Sequence, residues 1–350
     1  FITFCALSEA KGMDINMNRT ESQIRKKKGK SKVLRRFLLV VLLFFVILAG
    51  YGIYFAFNTI KAANESYSEL ERGDKSKLRN VAVDAGKDPI SILLMGVEDY
   101  SSGGKNGRSD SLIVVTLNPH YQTMKLLSIP RDTRVYIEER GKKDKINHAY
   151  AYGGKEETIE AVESLLNIPI DYYATVNFKG FKNIIDEIGG ITVNVPFDFW
   201  EKSDIDGRKI EFKEGKMHLN GEEALAYARM RKQDPRQDFG RNDRQRQIII
   251  AAIDKMLKPE NLLKIDDIAE HIGENIETNL KITEALAIQQ KFGKFDTSKI
   301  DQLSLKGSDE YINGVYYFEP DEEELSLLTN ELQNHLGNNI KLENETSQNP

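Results

Sequence analysis

The chain has 350 residues, a formal net charge of −5 and a single cysteine. That cysteine, Cys5, excludes a disulfide-stapled fold and thiol catalysis in the body of the chain. The acidic balance excludes a general basic coat for nucleic acid, while the length suffices for one large core or a core with an appendage.

Residues 1–12 read as translated upstream sequence, because Met13 and Met17 both offer starts. Residues 1–36 carry ten basic side chains against three acidic ones, a charge of +7 that leaves −12 for the rest. The run FLLVVLLFFVILAGYGIYFAF at 37–57 is uncharged and long enough, as a helix, to span the roughly 30 Å of a bilayer core. The basic flank predicts a cytoplasmic N-terminus and everything after residue 57 outside. A cleaved signal peptide is the rival reading, but no small-residue cleavage site follows the apolar run. Residues 58–88 are polar and weakly periodic, and are expected to form a stalk.

Three apolar runs rich in branched side chains, 92–97, 112–117 and 124–129, predict strands. The last two flank the turn-like Asn118-Pro119-His120-Tyr121, as in an antiparallel hairpin. Helix over 155–166, strand over 172–176, helix over 181–188, the stop Gly189-Gly190 and strand over 191–195 follow. The alternation predicts an α/β fold, a mixed central sheet flanked by helices in three layers. Asn220 is placed to cap the helix through Tyr227, and a further helix is expected from about Arg241 to before Pro259. Residues 89–257 form the expected main domain. Residues 258–343 read as a largely helical accessory region with a strand near 302–305, and 344–350 as a disordered tail.

Three clusters can do chemistry. Glu98 and Asp99 end the first strand, and Arg108, Ser109 and Asp110 begin the second; carboxylates there can share a hard divalent cation or simply be solvated. Pro130 fixes the backbone before Arg131 and Asp132, which either aims the arginine or leaves it exposed beside Asp132. Between Arg229 and Arg246 stand six arginines, interrupted by Asp238, Phe239, Gly240 and Gln245. Forked guanidinium groups at a helix start suit phosphate oxygens. The alternative is a solvated helix whose arginines pair with Asp234, Asp238 and Asp243. Outside the membrane such a cluster has no nucleic acid to meet. His120, His148, His218, His271 and His335 lie in no catalytic or metal-ligand spacing, and are expected to be structural or exposed.

The strings ILLMGVEDY, GRSDSLIVVTLNP, KLLSIPRDTRV, KINHAYAYGG, IGGITVNV, HLNGEEALAYARMR and DFGRNDRQRQII, in this order over about 89–257, resemble the LytR-CpsA-Psr family. The resemblance implies a membrane-anchored enzyme that moves a glycopolymer, such as wall teichoic acid, from a polyprenyl-pyrophosphate carrier to the muramic acid 6-hydroxyl of peptidoglycan. It implies a pyrophosphate site made of Arg108, Arg131, Lys145, Arg229, Arg231, Arg241 and Gln245, and a metal site at Glu98 and Asp110 for Mg²⁺, with Mn²⁺ as a substitute. It implies a catalytic role for Arg108 and an apolar tunnel for the prenyl chain, while Asp238 is the candidate to orient or deprotonate the acceptor hydroxyl or, alternatively, to hold Arg241 or a neighbouring arginine in place. Glu98 departs from the family's usual aspartate, and Asp99 stands ready to assist it. Two other readings remain open: a membrane-bound pyrophosphatase, and a non-catalytic regulator of the envelope. The sequence names neither the glycopolymer nor the oligomeric state.

Overall fold

The strands expected over 92–97, 112–117, 124–129 and 172–176 are the middle of one sheet in the computed structural model, which describes residues 66–98, 107–258, 275–337 and Ile340, whereas the one expected over 191–195 lies in a separate two-stranded sheet. The run at 37–57, Asp99 and the tail lie outside the described residues, among which no helix is long and apolar enough to cross a membrane. Along the chain come β1 (Ile90–Glu98), β2 (Arg108–Asn118), β3 (Thr123–Ile129), β4 (Arg134–Ile137), β5 (Lys142–Lys145), α1 (Ile146–Leu166), β6 (Tyr172–Asn177), α2 (Phe178–Glu187) and β7 (Ile191–Val195). They are followed by β8 (Phe199–Lys202), β9 (Lys209–Phe212), β10 (Gly215–Leu219), α3 (Gly221–Arg229) and α4 (Asp238–Met256). The C-terminal part supplies β11 (Ile276–Thr278), α5 (Ile282–Phe292), β12 (Asp301–Ser304), β13 (Gly307–Ile312), β14 (Val315–Pro320) and α6 (Glu322–Leu336).

The main sheet has six strands in the order β11-β6-β1-β2-β3-β12. It is mixed: β1 pairs antiparallel with β2 and parallel with β6, while β12 lies parallel to β3. Period-two alternation divides its side chains between two faces. Leu93, Met95, Leu112, Val114 and Leu127 pack with α1 and α6, through residues such as Val162, Leu166, Leu332 and Leu336. Ile90, Ile113, Val115 and Leu126 pack on the other face with Phe292 and the half-buried Ile249, Ile253 and Ile288 of α4 and α5. The α-β-α layering expected from sequence is therefore present. A separate cluster unites α2, α3 and the small strands β7–β10 around Tyr227 and Phe212. Asn220 caps α3 in a capping box with Glu223: its Oδ1 accepts from the Glu223 N–H at 2.9 Å, and Glu223 accepts in return at 3.0 Å.

Two boundaries differ from expectation. Residues 66–88, within the stretch read as a stalk, are folded onto the domain. Arg79, 1 % exposed, donates to both carboxylate oxygens of Asp171 at 2.9 and 2.6 Å, and Ser91 donates to the same carboxylate at 2.9 and 3.1 Å. The polar composition that suggested a stalk reflects a buried ion pair instead. The region after 258 is no appendage either, since β11 and β12 form both edges of the main sheet and α6 covers one face. α1 begins at Ile146, ahead of the expected 155, and breaks at Gly153-Gly154, where Gly154 adopts φ 64°.

His335 of α6 is structural, as expected, and buried. Its Nδ1 lies 2.8 Å from Thr116 Oγ1 and its Nε2 2.9 Å from Thr123 Oγ1. Burial, reinforced by Lys125, pushes its pKa down to about 4. The unfolded chain then binds a proton that the folded one refuses between about pH 4 and 6.5, so stability is full above 6.5 and falls with pH across that window. The loss expected at pH 4 is about 3 kcal/mol. Urea unfolding of wild type against His335→Asn from pH 7.5 to 4 checks this, the variant giving the flatter profile.

Candidate functional site

The C-terminal ends of β1 and β3 and the start of β2 meet the beginning of α4 at one end of the sheet. β1 and β2 change register between Gly96 and Val97: Gly96 faces Ser111 while Val97 faces Ser109. Asp110 is thus the extra residue of a β-bulge, a device that re-aims a side chain. Beyond it Arg108 lies opposite Glu98. Gly107 makes this approach possible, because a Cβ there would fall 2.5 Å from the Glu98 carbonyl oxygen and 2.9 Å from Val97 Cγ1.

Arg131 Nη1 donates to Asp110 Oδ1 at 3.0 Å, and its Nε lies 3.5 Å from Asp132 Oδ2. Lys145, at the end of β5, donates from Nζ to Asp132 Oδ1 at 2.7 Å. From the other side Arg241 Nη1 stands 3.0 Å from Asp238 Oδ1, and Arg231 Nη1 3.7 Å from Asp238 Oδ2. Gln245, one turn after Arg241, accepts from Ser111 Oγ at 3.0 Å, which ties α4 to β2 beside the bulge. Lys145, Asp132, Arg131, Asp110, Arg241, Asp238 and Arg231 therefore form one alternating constellation of charge.

Its electrostatics confirm the proximity. Burial works against the charge on Arg131, but Asp110, then Asp132 and Asp238, outweigh it and hold its pKa above the usual arginine value. Burial lowers that of Arg241, opposed by Asp238 and Asp110 and assisted by Arg131 and Arg231. The Nε–H groups of both Arg131 and Arg241 are buried without a hydrogen-bond partner. Arg131 Nε still lies within 3.5 Å of the Asp132 carboxylate and Asp238 Oδ1 likewise has no hydrogen bond, so these groups are held by charge rather than by aligned hydrogen bonds, an arrangement open to an anionic acceptor.

Not every predicted residue joins this network. Arg229 is exposed at the end of α3, with its guanidinium 5.4 Å from the Phe178 ring centre. Arg244 belongs to the fold: it is 1 % exposed, donates to Asp234 at 2.5 Å and to the Tyr227 carbonyl at 3.2 Å, and also reaches the Met230 carbonyl. Arg236 and Arg246 both pair with Asp243. α4 starts at Asp238, three residues before the expected Arg241, and the Phe239 N–H donates to the Arg236 carbonyl at 3.1 Å. Its first turn thus already carries a carboxylate where an external anion was foreseen. An open depression of about 480 Å³ beside it is lined by Arg231, Lys232, Gln233, Asp234, Pro235 and Gln237, a polar lining unsuited to a prenyl chain.

One group was missed in the sequence, the β13–β14 hairpin; His148, read as structural or exposed, is half-buried and structural, with Nδ1 3.1 Å from Asp144 Oδ2. Burial, then Arg108 and Lys145, lower its pKa, so it is neutral at pH 7. The β13–β14 hairpin reaches the site from the far end of the chain, with the rings of Tyr316 and Tyr317 centred 5.6 and 5.8 Å from Lys145 Nζ. Phe318 packs edge-on against Phe239, next to Asp238, at 6.1 Å.

The LytR_cpsA_psr family model matches residues 53–334. The chain belongs to this family. A relative in Bacillus subtilis strain 168, named polyisoprenyl-teichoic acid--peptidoglycan teichoic acid transferase TagV, is 58% identical over 310 residues, 87% of this chain and 79% of that protein. The crystal structure of B. subtilis TagV is 60% identical, with a TM-score of 0.65, and covers 71% of this chain and 98% of its own. A structure described as TagT bound to LI-WTA matches with a TM-score of 0.65 at 35% identity, over 77% of this chain and all (100%) of that one. The conserved architecture of the family is thus a mixed sheet between helices, and the constellation described above lies at one end of it in this member.

Proposed function

We propose that this LytR_cpsA_psr member transfers an anionic glycopolymer of the wall teichoic acid class from a polyprenyl-pyrophosphate carrier to the muramic acid 6-hydroxyl of peptidoglycan. The names of its relatives support the reaction class. The observation that carries the reading is the convergence of Arg131, Arg231 and Arg241 on Asp110 and Asp238 at one end of the sheet. Phosphoryl transfer depends mainly on positioning and on neutralising oxygen charge, and forked arginines do both. In this reading Asp110, Asp132 and Asp238 hold the arginines extended until the pyrophosphate takes their place as acceptor. Arg131, Lys145, Arg231 and Arg241 spread over its oxygens, the exposed Arg108 and Arg229 swing in to join them, and Gln245 keeps α4 on β2. The acceptor hydroxyl attacks the sugar-side phosphorus, the bond to polyprenyl phosphate breaks, and the hydroxyl proton passes to Asp238.

Glu98 and Asp110 fit a divalent cation shared with the substrate, since Mg²⁺ takes one or two carboxylates and fills its other positions with water and phosphate oxygens. Among the described residues no group of three or more ligating side chains occurs. Bound at Glu98 and Asp110, Mg²⁺ would neutralise pyrophosphate oxygens. The uncharged run 37–57 with its basic flank supports a membrane anchor that keeps the domain at the face where the carrier lipid arrives.

Transfer is tested with the purified chain, a synthetic polyprenyl-pyrophosphate disaccharide and peptidoglycan oligomers. Acceptor-linked product, reduced at least tenfold in Arg229→Ala, is the expected result. Free polyprenyl phosphate without linked product would make the protein a pyrophosphatase, and no turnover of any lipid-linked donor would make it a non-catalytic regulator.

A further inference from the structure

β13 and β14 are joined by Asn313-Gly314, both with positive φ, 52° and 79°, which is the tight two-residue turn that keeps a hairpin stiff. Directly opposed residues share a face, so Asp309, Tyr311, Tyr316 and Phe318 line one side and Glu310, Tyr317 and Glu319 the other. The second side is clamped. Arg134 of β4 pairs with Glu319 at 3.2 Å and lies 6.0 Å from the Tyr317 ring centre.

The first side is graded from buried to open. Phe318, 2 % exposed, roots it against Phe239 beside Asp238. Tyr316 follows, half-buried, with its hydroxyl donating to Asp309 Oδ1 at 2.8 Å. Burial, then this carboxylate, raise its pKa, with smaller contributions from Asp132 and Asp238 that place the ring within the field of the site. Tyr311 ends the row, 5.6 Å from Tyr316 edge to face and 73 % exposed. An aromatic side chain so open, on a rigid turn, makes no contribution to the core.

We infer that this face is the docking platform for the glycan strand of the acceptor, with Tyr311 stacking on a pyranose ring, Tyr316 supporting it edge to face and Asp309 accepting from sugar hydroxyls. The inference rests on the transfer reading above. Two features select this occupant. The row of rings leads outward from Asp238, the group placed to receive the acceptor's proton. The carboxylate of Asp309 on this face repels an anionic donor polymer but not the uncharged backbone of amino sugars. A prenyl chain is disfavoured by the exposed Asp309 carboxylate beside the rings.

The test measures peptidoglycan oligomers twice, by calorimetric binding without donor and as the varied substrate in transfer. Tyr311→Ala is expected to weaken binding and raise the acceptor KM about tenfold, with the donor KM unchanged, whereas Tyr311→Phe, which keeps the ring, stays within about twofold of wild type. Equal oligomer affinity in wild type and Tyr311→Ala overturns the platform while leaving the transfer reading intact. Wild-type binding that depends on Tyr311 but yields no linked product upholds the platform and defeats the transfer reading.

Discussion

Arg241→Ala is expected to lower the transfer rate by about 10²–10⁴-fold, the loss typical of a group that neutralises developing charge at a transferred phosphoryl. The side chain is 7 % exposed and held beside Asp238, so its fork is ordered before substrate arrives. A group ordered in advance contributes mainly to the transition state, and kcat and kcat/KM should therefore fall together. Arg241→Lys keeps the charge but not the two parallel donors, and is expected to remain at least tenfold below wild type. Thermal midpoints of both variants separate this from loss of fold, because Asp238 keeps Arg231 at 3.7 Å when Arg241 is removed. Alanine variant activity above a tenth of wild type, in a folded protein, would take Arg241 out of the pyrophosphate site.

Much of this site was legible because its residues sit where local rules are strong. Branched apolar runs marked β1, β2 and β3, so the residues at their ends, Glu98, Arg108, Asp110 and Arg131, could be placed over one edge of the sheet. Asn220 announced α3 by its cap, and with it the position of Arg229 and Arg231. What the chain did not disclose depends on register and on distant pairing. The bulge that re-aims Asp110 arises from a one-residue mismatch between β1 and β2, and the mismatch leaves no mark in composition. The strands β4, β5, β8 and β9 are four residues each, too short for a period to show. β11 and β12 lie in the main sheet at the far end of the chain from their partners, so the region looked like an accessory. The Asn313-Gly314 turn between Tyr311-Ile312 and Val315-Tyr316 was a strong hairpin signal within a segment read as helical. The arginine cluster, uniform in sequence, divides only in three dimensions.

That division carries the second large effect. Arg244→Ala is expected to destabilise the domain by about 3–5 kcal/mol, since it leaves the buried Asp234 carboxylate with only the Arg236 N–H at 2.8 Å and the exposed Arg236 guanidinium at 3.8 Å. Both side chains of the pair are 1 % exposed, and the same guanidinium holds the carbonyls of Tyr227 and Met230, so α3, the following loop and α4 are joined through one residue. The thermal midpoint should fall by about 10 °C or more. Arg236→Ala, whose partner contact to Asp243 is as short at 2.6 Å but whose side chain is 56 % exposed, should cost less than about 1 kcal/mol. Gly240→Ala strikes the same carboxylate from the other side, because its Cβ would stand 1.8 Å from Asp234 Oδ2. Each change alone displaces or strands Asp234, so the double variant should lose clearly less stability than the two losses added. Full additivity in denaturant unfolding would mean that Gly240 and Arg244 act on separate parts of the loop. Sub-additivity would establish that both changes act through Asp234, and would explain why a buried, structural arginine stands among those proposed to bind phosphate.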